Sequence, residues 1–167
     1  MQNFEISRSV PWSRRYGVLA APDGAGVASQ ASQEYLKNIQ FVDLLNAFRC
    51  SGGLARMPEV AGRFKGRSVK DDFPLTGWLA KRQVISVEWQ SKIWLPLFQF
   101  NPGGLTLRTG LSAVLAELVL VYDDWQVANW FAQPNPWLAN GAPADRLAMA
   151  APQVLNAALA ERLVAAA

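Results

Sequence analysis

Two pairs of adjacent carboxylates, Asp71-Asp72 and Asp123-Asp124, have the clearest capacity for acid–base or metal chemistry in this chain. Carboxylates gathered in one site can share a proton or hold a cation, but neighbours in sequence do not face the same way on a helix or strand. Each pair also precedes a segment with helical patterning, where acidic residues stabilise the positive end of the helix dipole. Both pairs therefore read as helix-start residues. The 167 residues include no histidine and one cysteine, Cys50. That composition removes Ser-His-Asp and Cys-His nucleophiles, histidine-ligated metals and any intrachain disulfide. A single cysteine fits a reducing compartment. The glycine steps Gly24-Ala25-Gly26, Gly52-Gly53 and Gly103-Gly104 match no phosphate-binding fingerprint. Only carboxylate chemistry survives, so the inventory favours recognition over catalysis, with no cofactor and no metal expected.

Two groups of residues suit recognition. From Arg49 to Lys92 nine cations stand against four anions, a net charge of +5. Clustered cations bind nucleic-acid backbones through counterion release. The candidate DNA-binding set is Arg56, Arg63, Lys65, Arg67, Lys70, Lys81, Arg82 and Lys92. Arg63, Lys65, Arg67 and Lys70 fall within eight residues, Lys81-Arg82 precede an expected hairpin, and Lys92 sits near its tip, where a wing meets phosphate. No specific DNA-binding motif accompanies them, and a solvated surface is the plainer reading. From Asn101 onward three cations face five anions, a net of −2, which implies a second surface with a different partner.

The second group is aromatic. Five of the seven tryptophans, Trp89, Trp94, Trp125, Trp130 and Trp137, lie within fifty residues of one another. Tryptophan is enriched at interface hot spots, although most tryptophans pack cores. Trp125, Trp130 and Phe131 follow a helical pattern and read as core. Trp94 and Trp137 flank prolines at edge or loop positions and read as contacts. No cations interleave with the C-terminal aromatics, so a protein partner suits them better than stacked bases.

The elements that must position these residues follow from periodicity. Residues 1–28 are broken by Pro11, Gly17, Pro22, Gly24 and Gly26 and read as a flexible arm. A helix capped by Ser29 or Ser32 runs to about Cys50, with one apolar stripe of Tyr35, Ile39 and Val42 and another of Phe41, Leu44, Leu45 and Phe48. Such coverage implies a core helix buried on more than one side, or else a dimerisation helix. A short helix follows Pro58, and another begins near Pro74. Val84–Trp89 alternates as a strand, Gln90-Ser91 turns, and Lys92–Phe100 returns, with Pro96 marking an edge strand. Asn101-Pro102-Gly103-Gly104 is a turn. A helix over Leu111–Tyr122, one capped by Asp123 or Asp124, a loop over Pro134–Ala142, a short helix from Pro143 and a last one from Pro152 complete the chain. The fold class is mainly α with a small β-hairpin: a winged-helix-like basic unit over 29–100 and a small helical bundle over 101–167.

The stretch Trp130-Phe131-Ala132-Gln133-Pro134-Asn135-Pro136-Trp137-Leu138, followed by Gly141 and Pro143, resembles the Xre/MbcA/ParS toxin-binding domain of bacterial antitoxins. That family carries a Trp, then a Pro-Asn step, a Leu three residues after the Asn, a glycine-rich turn, and a Pro eight residues after the Asn. Asn135, Leu138 and Pro143 match the spacing. Pro96-Leu97-Phe98-Gln99-Phe100, Asp124-Trp125 and the helix from Pro152 extend the likeness over residues 94–167. Ala139-Asn140-Gly141 replaces the usual glycine pair, and no Xre-type helix-turn-helix precedes the domain. The resemblance implies a non-enzymatic helical module that docks on a cognate toxin, often of the RES type that destroys NAD. It implies partner contacts at Asn135, Trp137, Leu138, Arg162 and the Ala165-Ala166-Ala167 tail, beside Trp94. Operator binding by the basic unit, homo-oligomerisation and a cytoplasmic location complete the expectation. No apolar run reaches the roughly 20 residues of a membrane span, and no secretory leader is visible. The alternative is a DNA-binding regulator whose C-terminal bundle only dimerises.

Overall fold

The computed structural model of the protein describes residues 26–65, 74–102 and 106–166. The chain divides after Leu36 into two units. The described part of the first is the N-terminal stretch of helix α1 (Gly26–Ala47), whose residues Gln30 to Leu36 are all exposed. The expected arm lies outside the described residues up to residue 25, and the helix begins before either serine proposed as its cap.

In the second unit α1 buries one stripe. Phe41, Leu44 and Phe48, at i, i+3 and i+7, are fully enclosed. Ile39, Val42 and Leu45 stay open, as does Tyr35 in the first unit. The helix is therefore amphipathic here, and burial on two sides is corrected: one face is enclosed and the face of Ile39, Val42 and Leu45 is open. A 3₁₀ turn (Phe48–Ser51) closes it. Gly52 follows with φ of 111°, where a side chain would be strained and its Cβ would lie 3.2 Å from that of Leu97.

Strands β1 (Leu54–Arg56), β2 (Val87–Trp89) and β3 (Lys92–Pro96) form an antiparallel sheet in the order β1-β3-β2. Ala55 lies opposite Leu95, and Glu88 opposite Ile93. The helices α2 (Met57–Lys65) and α3 (Pro74–Ala80) sit between β1 and β2 in sequence. Helix, strand, two helices and hairpin make a winged-helix-like arrangement. The hairpin turns through Gln90 and Ser91 at φ 49° and 54°, a two-residue left-handed turn built without glycine or asparagine. Strand β3 is the middle strand, which corrects the edge assignment. Pro96 is tolerated because it is the final residue of the strand.

Alternation along β3 separates two cores. Leu95 joins Ala55, Val60, Leu75, Val84 and Phe100 in a small cluster against α2 and α3. Trp94 packs on the other side, against the main cluster. There Phe41 stacks on Trp89 at 4.0 Å and meets Trp94 edge-on at 5.0 Å. The Trp89 indole donates to Asn38 Oδ1 at 2.8 Å, so the hairpin is fastened to α1.

The expected strand from Val84 starts only at Val87, because Ile85 bonds to a side chain instead of a strand. Gln99, fully buried in the 3₁₀ turn Leu97–Gln99, accepts from Ile85 N at 2.7 Å and donates to Ile85 O at 2.9 Å. Helices α4 (Leu111–Leu118), α5 (Asp124–Ala132) and α6 (Pro143–Ala165) form the bundle. Asp123 caps α5, reciprocated by Gln126 in a capping box. Helix α6 breaks its geometry at Ala150, two residues before Pro152, so the two expected helices are halves of one kinked helix. The main core takes Phe41, Phe48 and Val87 from one side of residue 100 and Leu111, Phe131 and Leu147 from the other. It crosses the boundary expected there.

Candidate interaction surfaces

The loop between α5 and α6 is built almost entirely from its own bonds. Asn135 is buried, and its Oδ1 accepts from Trp137 N at 2.9 Å. Its backbone N–H donates to Gly141 O at 3.1 Å, and its carbonyl accepts from Leu138 N and Asn140 N, both at 3.0 Å. Pro136 starts the 3₁₀ turn Pro136–Leu138 that these bonds close. Ala139 and Asn140 then take left-handed φ of 52° and 60°. The turn thus forms without the glycine pair, at the strain that alanine carries there. At Gly141 a Cβ would meet Arg146 Nε at 2.5 Å, the end of an exposed side chain that can swing away, and the Leu138 carbonyl oxygen at a tight 3.1 Å.

This local geometry sorts the expected contact residues. Leu138 turns into the main core, and Asn135 spends its side chain inside the loop. Both are corrected from contact residues to framework. Trp137, between them, is left 69% exposed. Trp94, expected as a contact, lies on the central strand, packed against Phe41 and Trp89. Trp130 is core, while Trp125 is half-buried against it. Arg162 pairs with Glu117 at 2.5 Å, which ties α6 to α4, and Tyr122 bonds Glu161, which ties α6 to the connection between α4 and α5. The tail residues Ala165 and Ala166 are exposed. Sequence patterning did not single out Leu120, Met149 and Leu163 as surface residues, yet all three are mostly exposed.

The basic residues sort in the same way. Arg56 donates from Nε and Nη2 to Glu59 Oε1, at 2.8 and 2.5 Å, and its backbone N–H donates to Glu59 Oε2 at 3.0 Å. These bonds hold the Glu59 carboxyl below the usual carboxylate range. Arg82 is a clasp: it donates to Asp124 Oδ1 at 2.9 Å, to Val119 O at 3.3 Å and to Tyr122 O at 3.1 Å. A cation there meets the carbonyl end of α4 and the acidic start of α5. Arg82 is therefore a structural residue in this chain. Arg63, Lys81 and Lys92 are exposed and form no ion pair among the described residues. The Lys65 side chain, Arg67, Lys70 and the pair Asp71-Asp72 lie outside the described residues.

Asp123 and Asp124 divide their work between the α5 cap and Arg82 and do not converge. No group of three or more metal-ligating side chains occurs among the described residues. No helix among them is long and apolar enough to cross a membrane. Comparison of the chain with protein-family models, with curated proteins and with solved structures finds no match.

Proposed function

We propose that this protein is a cytoplasmic, non-enzymatic antitoxin-like protein whose C-terminal helical bundle binds a cognate protein partner. The observation that carries the reading is the Asn135–Gly141 loop. Residues at the spacing shared with the Xre/MbcA/ParS domain build a rigid, self-bonded turn, and that turn holds one large aromatic side chain, Trp137, in solvent. A protein that orders a tryptophan outward has placed a typical hot-spot residue where a partner can enclose it. The toxin class suggested by the resemblance is the RES type. Co-expression with the product of the adjacent gene, followed by affinity capture and a growth-rescue assay, tests the proposal. A stable complex and relief of toxicity support it; the absence of both defeats it.

The second reading, DNA binding by the basic unit, draws on the β1-β3-β2 sheet order with a hairpin after two helices, and on exposed Arg63, Lys81 and Lys92. Each cation that touches a phosphate adds about one unit to the slope of log affinity against log salt. The triple variant Arg63→Gln, Lys81→Gln, Lys92→Gln should therefore flatten the slope by about three. An unchanged slope removes DNA binding from the proposal and leaves the partner reading standing.

A further inference from the structure

An open groove of about 550 Å³ lies beside α2, where Arg63 and Arg108 line it together with Ser51, Leu97, Asn101 and Pro102. Among the described residues no carboxylate lines it. The acid nearest to Arg63 in sequence is Glu59, one turn away, and both of its oxygens are taken by Arg56. Arg108 is half-buried, and its bonds run to two carbonyls, Phe98 O at 2.7 Å and Phe100 O at 3.5 Å. Among the described residues neither arginine has an ion-pair partner.

The other polar groups of the lining are already engaged. Ser51 Oγ donates to Phe48 O, and Asn101 Nδ2 donates to Thr106 Oγ1 and Leu107 O. Pro102 has no N–H. Among the described side chains of the lining, the donors left to face the groove are guanidinium N–H groups. Two guanidiniums without a direct ion pair, Arg63 feeling Glu59 only at longer range and Arg108 partly desolvated, favour an oxyanion, and arginine forks match phosphate oxygens. Their charge of +2 matches the −1.5 to −2 of a phosphomonoester near neutral pH and exceeds that of one carboxylate. The volume falls within the roughly 300–1,000 Å³ of small-ligand sites, far more than a bare ion needs, and Leu97 and Pro102 offer an apolar wall.

We infer that this groove binds the phosphate of an organic phosphomonoester of about nucleotide size, with Arg63 and Arg108 as the phosphate-binding residues. The site is separate from the Trp137 loop and does not depend on the antitoxin reading.

Calorimetric titration of the full chain with AMP, with inorganic phosphate and with a short DNA duplex tests the inference. The expected result is saturable AMP binding at or below about 1 mM. Arg63→Gln, an exposed substitution that leaves the core intact, should weaken it about tenfold or more, and Arg63→Lys should restore part of the loss. Inorganic phosphate should bind more weakly than AMP, because it leaves the apolar wall uncovered. No AMP binding, or AMP binding indifferent to Arg63→Gln, overturns the proposal. Inorganic phosphate binding as tightly as AMP overturns the nucleotide-sized ligand. Duplex DNA that displaces AMP at lower concentration, in an Arg63-dependent way, makes the source a nucleic-acid backbone and overturns the small-molecule assignment.

Discussion

Replacing Trp137 with alanine should separate partner binding from folding. The side chain is 69% exposed, and a tryptophan buries roughly 150–250 Å² when fully enclosed. At about 25 cal/mol per Å², the share it buries within the chain contributes about 1–2 kcal/mol to folding. The exposed share leaves about 3 kcal/mol for a partner that covers it, roughly a 150-fold change in dissociation constant. Leu138, the next residue, is enclosed in the main core. Leu138→Ala should cost about 2–5 kcal/mol of folding stability. The pair makes a controlled comparison: one loop, two adjacent side chains, opposite directions. Urea unfolding followed by far-UV circular dichroism reads stability without using the deleted fluorophore. Titration of the full chain against the adjacent gene product reads affinity. If Trp137→Ala loses more than about 2 kcal/mol in folding, the side chain is structural and its assignment as the contact fails. If the variant folds normally and affinity changes less than about threefold, the partner docks elsewhere and the Asn135–Gly141 loop is not the site.

Gln99→Met keeps the side-chain volume but strands the buried N–H and C=O of Ile85, so it should lose about 2–5 kcal/mol in urea unfolding; a loss under about 1 kcal/mol refutes the clamp. Gln99→Glu keeps the acceptor and sets a carboxylate against Ile85 O. Burial raises its folded pKa above the unfolded value of about 4.3. The folded state then binds the extra proton, and the variant's deficit relative to wild type should grow as pH rises from about 5 to 8; a deficit constant with pH contradicts this. Arg82→Ala should lower stability by about 1–2 kcal/mol through its carbonyl bonds, since the half-exposed pair with Asp124 adds little; a thermal midpoint within about 1 °C of wild type refutes the clasp. The Glu59 carboxyl is depressed in the folded chain, so the stabilisation it contributes is complete above its unfolded value of about 4.3 and fades as pH falls through the folded one. The stability difference between wild type and Glu59→Gln should therefore shrink on acidification below about pH 4, and a difference unchanged at pH 3 argues against the fork.

What the sequence made legible depended on how far apart in the chain the interacting groups lie. The α5 cap closes over three residues, Asp123 to Gln126, and its acid could be narrowed in advance to Asp123 or Asp124. The Asn135–Gly141 loop is similar: its bonds all run among Asn135, Trp137, Leu138, Asn140 and Gly141, so a fixed spacing encodes the whole turn. The helical register of Leu111, Val114, Leu115 and Leu118 likewise shows in their spacing. By contrast, Gln99 meets Ile85 across 14 residues and Arg82 meets Asp124 across 42, and nothing near either residue marks it as engaged. Arg82 beside Lys81 therefore read as one more surface cation. Strand order is non-local too, so Pro96 suggested an edge although β1 closes on the far side of β3. That single difference decides between the two tryptophans chosen as contacts. Trp94 depended on a sheet order that only the assembled fold supplies, and it is half-buried against Phe41 and Trp89. Trp137 depended on a turn whose every bond is within six residues, and it remains in solvent at the position where the proposed partner would meet it.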